Sequence, residues 1–347
     1  MLIGVEEAMI AFRYFFKLYW SINDPAGSNP YPCRVSRYLV GAYPASSAHR
    51  SWNPGLEKEF FELLATNAGI GALELPWLGK LHPHDDQWLL GNFPEQLNAV
   101  ITGIPFVMGQ IGKNPNYGLA STDEDGRKHA ISDVREILNQ VNRFNDAVGR
   151  NVVSAIEIHT APRQMGNKNE LSRSLEEIVD WNWDSTKINI EHCDAYKTGQ
   201  NPEKGFLALQ DEILAIQNSQ LPIGIFINWG RSAIEFRDAT RVVEHIQLAK
   251  ESGLLRGLIF SGASAKEGLF GYPWIDAHHP FQKNTKHEFG DPDSLLTEEL
   301  ALSALTAAGE LDWLGIKMGW PSEVPGSIKQ RYQMICAALD VLDAHTK

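Results

Sequence analysis

Apolar residues in this chain fall into short continuous runs, most of them followed by a stretch in which apolar positions recur every three or four residues. The runs are Tyr38–Tyr43, Gly71–Leu75, Ala99–Ile104, Val152–Ile158, Ile188–Ile190, Ile223–Ile227, Gly257–Phe260 and Trp313–Lys317. They are too short for core helices, and their lack of strict alternation fits strands covered on both faces. The stretches between them, Asn53–Thr66, Asp133–Val148, Leu171–Asp180, Lys204–Asn218 and Ala233–Lys250, read as amphipathic helices, the first opened by Asn53 and Pro54. Strand–helix alternation repeated eight times predicts an α/β fold, a (β/α)8 TIM barrel. A doubly wound sheet is the other reading, but no Gly-x-Gly-x-x-Gly stands at the first strand–helix turn to support a dinucleotide site. Two connections are long, Met108–Arg127 after the third strand and Ser261–Asp293 after the seventh, and loops of that length usually bind or cover something.

The chemistry is concentrated at the downstream ends of these runs. Ser154–Pro162 carries Glu157 and His159, and Lys187–Tyr196 carries Glu191, His192 and Asp194. An unpaired buried carboxylate costs several kcal/mol, so two successive strands ending in acids and histidines point to a polar site at one mouth of the barrel. Residues two apart on a strand share a side, so Glu157 and His159 face one way and Ile156 and Ile158 the other.

Composition narrows the partners. With 347 residues, 43% of them hydrophobic, the chain can bury one large barrel or two smaller domains. A formal net charge of -12 argues against nucleic acid, whose phosphates call for a basic stripe. No run of about 18 apolar residues suggests a membrane span. Three widely spaced cysteines, Cys33, Cys193 and Cys336, suit neither a disulfide framework nor structural zinc and favour the cytoplasm. Residues 1–36 read as an appended extension ending in a Pro/Gly/Asn-rich linker, and 37–347 as a single barrel domain.

The segments Val40-Gly-Ala-Tyr43, Leu73-Glu-Leu-Pro-Trp-Leu-Gly79, Leu81-His-Pro-His-Asp-Asp86 and Ile190-Glu-His-Cys-Asp-Ala195 carry a resemblance. From about Arg37 onward the chain resembles the xylose isomerase-like TIM barrels, the superfamily of sugar epimerases and type-2 AP endonucleases, and within it an uncharacterised bacterial domain-of-unknown-function family. In the superfamily's epimerases four strands each supply one ligand to a divalent metal, and two glutamates also carry protons. The resemblance implies a ligand role for Glu157 and Glu191 and one divalent ion (Mn, Mg, Zn or Co). It departs at the sixth strand, which offers Asn228, and at the eighth, which offers Lys317.

Lys317 could replace the metal's charge, hold an enediolate oxygen, form a Schiff base, or pair with a glutamate for structure alone. Glu74 faces the site if the register holds. Asn228, Trp229 and Arg231 suit a sugar or carboxylate grip, although Arg231 could instead pair with Glu235 one helical turn on. Trp274, Asp276, His278 and His279 read as polar contacts on a lid or as a surface loop. Asp194 falls at a position where a substrate contact is common in the superfamily. His82, His84, Asp85 and Asp86 have ligand chemistry without ligand spacing, and one aspartate suits a helix cap. His49 and Arg50 could add an anion contact, and Cys193 reads as a small core residue.

The expected function is therefore a sugar or sugar-acid isomerase or epimerase, with Glu157, Glu191, Lys317 and His159 at the chemistry. Glu74, Asp194, Asn228, Arg231, Trp274 and His279 would contact a small carbohydrate. A metal-independent lyase or hydrolase of glycosides and a non-catalytic carbohydrate-binding barrel are the alternatives. A homo-oligomer is compatible with this reading.

Overall fold

A computed structural model describes residues 38–346, so the expected extension at 1–36 lies outside the described residues. Eight parallel strands close into a barrel in sequence order. They are β1 (Tyr38–Gly41), β2 (Ile70–Pro76), β3 (Asn98–Thr102), β4 (Val153–Ile158), β5 (Lys187–His192), β6 (Gly224–Asn228), β7 (Leu255–Phe260) and β8 (Trp313–Lys317). Each pairs with the next, and β8 returns to β1 through Leu39–Gly315, Val40–Ile316 and Gly41–Lys317.

The two faces of each strand do different work. Outward positions such as Val40, Leu73, Ile156, Ile190, Ile225, Leu258 and Ile316 pack against the helices in one continuous core. Inward positions lower in the barrel, Leu39, Ala72, Val100, Ala155, Phe226 and Ile259, form a separate apolar cluster. Burial on both faces is why the runs read as continuous rather than alternating.

Local chemistry sets the helix ends. The Asn53 side chain accepts from the amides of Gly55 and Leu56 at the start of Pro54–Thr66. Asp85 caps Asp86–Asn92 by accepting from the Trp88 amide, as expected of one of the aspartates in that segment. Glu124–Val148 begins at Asp123 and ends at Gly149, whose φ of 73° places it in the left-handed region that glycine tolerates.

Several boundaries differ from expectation. The helix expected from Lys204 begins only at Leu209, after a loop that carries Lys204. The third strand stops at Thr102, because Gly103 and Pro105 turn the chain into a helix, Ile104–Ile111. That helix, with the early start at Glu124, shortens the long connection expected at 108–127. The helix expected over 233–250 is two helices, Trp229–Phe236 and Val242–Glu251, separated at Arg237, where φ is 53°. By contrast, the connection after β7 is long as expected: from 261 to 297 it holds only turns and isolated bridges. No helix among the described residues is long and apolar enough to cross a membrane.

Candidate active site in the barrel mouth

Two residues above the apolar ring, the inward positions become polar. Glu74 (β2), Thr102 (β3), Glu157 (β4), Glu191 (β5), Asn228 (β6) and Lys317 (β8) converge there, joined by His159 just past β4 and Arg231 on the helix after β6. All are at most 2% exposed, so the mouth is closed. Gly41 on β1 makes room for this crossing: a Cβ there would lie 2.5 Å from Glu74 Oε2 and 2.8 Å from Lys317 Cγ.

Glu191 is the hub. Arg231 Nη1 lies 2.6 Å from its Oε2. His159 Nε2 is 3.0 Å from the same oxygen, and Thr102 Oγ1 donates to it at 3.4 Å. Asn228 Nδ2 donates to Oε1 at 3.3 Å, and Lys317 Nζ stands 3.8 Å from that oxygen. Burial alone would raise this carboxyl's pKa, but Arg231 and Lys317 overcome it and hold Glu191 ionised, well below the usual range.

Lys317 Nζ donates to Glu74 Oε1 at 2.6 Å, which leaves Glu74 Oε2 outside that bond. Neither oxygen of Glu157 accepts a hydrogen bond from a cation or an amide; its one side-chain partner is the Glu74 carboxylate, to which the protonated Glu157 donates. Burial, then the charges of Glu191 and Glu74, drive its pKa well above the carboxylate range. The two cations are matched by Glu74 and Glu191, so Glu157 is the carboxyl that stays neutral.

His159 is the complement. A carboxylate only accepts, so the ring nitrogen facing Glu191 carries the hydrogen. Burial lowers the pKa of His159, leaving it neutral with Nδ1 as a bare lone pair that has no partner. His159 and Glu157 border one cavity of about 20 Å3, otherwise lined largely by apolar side chains such as Trp77, Phe106 and Tyr117. That is room for about one water.

The other expected site residues are distributed around this cluster. Asn228 Oδ1 accepts from the Ser261 hydroxyl at 2.8 Å and the Arg231 amide at 3.3 Å, so its side chain is fully occupied in fixing Arg231 and Glu191. Arg231 does not pair with Glu235. Its Nε donates to Asp276 Oδ2 at 3.0 Å. Asp194 accepts from the Lys204 amide at 3.0 and 3.1 Å. Trp274 is not brought into the carboxylate cluster but lies beneath the Arg237 guanidinium, 5.3 Å from its ring centroid. His279 Nδ1 is paired with Asp291 Oδ2 at 2.5 Å, within the same long connection. Arg50 donates to the Trp320 carbonyl, and Cys193 is a buried free thiol.

Sequence reasoning missed Lys204, whose ammonium lies 2.9 Å from Asp276 Oδ2, because it stands in what reads as a helix start. Its signal was only its place downstream of β5. His192 sat in plain view but faces away from the mouth. Its Nδ1 is 2.8 Å from Glu212 Oε2 and its Nε2 is 3.1 Å from Glu235 Oε2. Burial disfavours its charge, but the two carboxylates win and push its pKa up to about 10.

Three groups have ligand atoms close enough to hold a metal ion: His49, Glu57 and His82; His192, Glu235 and His245; and Glu74, Glu157 and Glu191, whose oxygens lie within 4.8 Å of one another. In the first, His82 Nδ1 accepts from the amides of His84 and Asp85 at 3.2 and 3.0 Å, so Nε2 carries the hydrogen and offers no lone pair. In the second, His192 faces a carboxylate at both nitrogens and is likewise protonated. The glutamate trio in the mouth remains.

The family model described as Domain of unknown function (DUF4862) matches residues 39–334. The chain belongs to that family. It is 38% identical over 291 residues to an uncharacterised protein of Salmonella typhimurium, covering 81% of this chain and 89% of that protein. Among solved structures it is similar to the IolI protein with a bound zinc atom, with a TM-score of 0.55 and 12% identity over 89% of this chain and 99% of that one. It is also similar to D-allulose 3-epimerase from Methylomonas sp. in complex with D-allulose, with a TM-score of 0.55 and 13% identity over 92% of this chain and 100% of that one. At these identities the likeness is one of fold. The fold is that of the xylose isomerase-like barrels.

Proposed function

We propose that this barrel is an isomerase or epimerase of a sugar or sugar acid, moving a proton at a carbon beside a carbonyl. One observation carries the reading: within one closed mouth, Glu157 is kept as a neutral acid while His159 is kept as a neutral base with Nδ1 free. Pairs of groups whose proton affinities are pushed apart by their surroundings mark the acid and the base of a proton transfer. His159 Nδ1 takes the proton from carbon, with Glu191 orienting the ring and stabilising the imidazolium. The electron pair moves onto the carbonyl oxygen, and Glu157 supplies a proton to that oxygen or to the neighbouring carbon. Lys317 and Arg231 provide fixed positive charge where the enediolate develops. The small cavity cannot hold a sugar, so the connections over the mouth open to admit one.

The glutamate trio does not fit a divalent ion in this arrangement. Lys317 Nζ stands between Glu74 and Glu191, at 2.6 and 3.8 Å, where an ion shared by the three carboxylates would meet an ammonium. Zinc in the IolI neighbour belongs to that protein.

The test is solvent exchange. Aldoses, ketoses and sugar acids are incubated with enzyme in D2O and chelator, and followed by NMR. The reading expects one compound to take up deuterium beside its carbonyl, and Glu157→Gln to slow this by about 100-fold or more. A folded protein that exchanges no compound in the panel would leave the mouth a binding site without turnover.

A further inference from the structure

Above the carboxylates, three connections meet at one buried salt bridge. Lys204 comes from the loop after β5, Arg231 from the helix after β6, and Asp276 from the connection after β7. Asp276 Oδ2 takes Lys204 Nζ at 2.9 Å and Arg231 Nε at 3.0 Å, while Oδ1 lies 3.4 Å from His278 Nδ1. The Asp276 side chain is 4% exposed. Arg231 is shared: its other face meets Glu191. The charge that holds Asp276 is therefore one guanidinium away from the proposed chemistry.

The segment carrying Asp276 has no helix or strand to fix it. It is latched to the loop after β5 by Tyr272 donating to Glu203 Oε1 at 2.7 Å and the Asp276 amide donating to Glu203 Oε2 at 3.2 Å, and pinned at its ends by the Trp274 amide donating to the Ser264 carbonyl at 2.7 Å and the Gly319 amide donating to the His278 carbonyl at 2.6 Å. Trp274 and His278, on either side, adopt left-handed φ values of 65° and 56°, which cost non-glycine residues energy. The mouth is closed and must open for any sugar. Withdrawing this segment removes Asp276 and leaves Lys204 and Arg231 facing the mouth without their shared carboxylate. Lys204 then has lost its carboxylate and Arg231 keeps only Glu191, which is costly in a desolvated site, so the opening is favoured by an entrant that brings its own anion.

We propose that Lys204 and Arg231 form a carboxylate subsite that Asp276 occupies in the closed protein, and that the substrate is a polyhydroxy acid whose carboxylate takes its place. This rests on the proposed sugar chemistry and selects the acid from the two substrate classes it allows. A neutral sugar cannot replace the lost charge.

The test is calorimetric titration with C5 and C6 aldonates and uronates, each beside its matching alditol or aldose and the corresponding sugar phosphate. At least one acid is expected to bind about tenfold or more tighter than its neutral partner. Asp276→Asn, which removes both the internal competitor and part of the latch, should tighten that acid by about tenfold more than it tightens the neutral partner. Lys204→Met should erase the preference. In wild type, which needs no substitution, the bound acid should raise deuterium uptake across 265–278. Neutral sugars binding as well as acids, phosphates binding tighter than carboxylates, or no acid binding any of these proteins would overturn the subsite. So would Asp276→Asn that folds but gains nothing. The two proposals fail separately. Acid-selective binding without carbon exchange sinks the isomerase and keeps the subsite; turnover of a neutral sugar does the reverse.

Discussion

Two rings of side chains fill the same barrel, one residue pair apart, and they differ at nearly every strand. The lower ring has Leu39, Ala72, Val100, Ala155, Asn189, Phe226, Ile259 and Gly315; two residues on, the same strands present Gly41, Glu74, Thr102, Glu157, Glu191, Asn228, Ser261 and Lys317. Both rings are buried. Burial stabilises the lower ring through apolar contact, roughly 25 cal/mol per Å2. In the upper ring the same burial is a cost, offset only where charges are paired, and Glu157 has no cation of its own, only the Glu74 carboxylate to donate to. A fold does not need such a ring, and its presence in an otherwise conventional barrel is the reason to assign it chemistry.

The comparison can be broken most severely at Lys317. Lys317→Met leaves Glu74 and Glu191 short of a cation and should cost about 3–5 kcal/mol by chemical unfolding, with loss of turnover. Phe226→Ala in the lower ring should cost a similar amount, about 3–5 kcal/mol, through a cavity, yet leave the folded fraction active. Equal losses of activity at matched folded fraction would erase the distinction between the rings.

Glu157→Gln should reverse the usual trade. A carboxyl whose folded pKa is raised contributes stability that is complete below its unfolded pKa, about 4.3, and lost as pH climbs toward the folded value. The glutamine has no such loss, so its melting temperature should gain on wild type as pH rises above about 4.3 while turnover falls. A variant that loses ground with rising pH would contradict the neutral acid.

On the outer face of the barrel, at the end of β5, His192 gives a smaller effect of known sign. Its pKa is raised to about 10, so its contribution is full below about 6.5 and is lost as pH rises through 10. The melting temperature of wild type should fall across that window, and the corresponding slope of His192→Gln should be flatter. Least affected of all is Cys193, whose buried thiol is pushed up by desolvation. It should resist alkylation at pH 8 until the protein unfolds.

The barrel was legible because each strand and each helix carries its own period. Its boundaries failed where a single glycine or proline decided them, at Gly103 and Pro105, or where a left-handed residue split a helix, at Arg237. Glu157, Glu191, His159 and Lys317 were legible for a different reason: polar residues at the end of an apolar strand have few structural uses. The pairing was not. That Arg231 holds Glu191 and Asp276 rather than Glu235, and that Lys204 enters at all, depends on how three connections fold over the mouth. Strand ends announce themselves locally; loops do not.

The account turns on the proton held by Glu157. Infrared difference spectra of wild type against Glu157→Gln at pH 7, in H2O and D2O with chelator, read it directly. The account predicts a carbonyl stretch from a neutral, buried carboxylic acid in wild type, shifted in D2O and absent from the variant. If wild type shows only carboxylate bands, Glu157 is ionised, a further cation must share the mouth, and the proposed acid is lost.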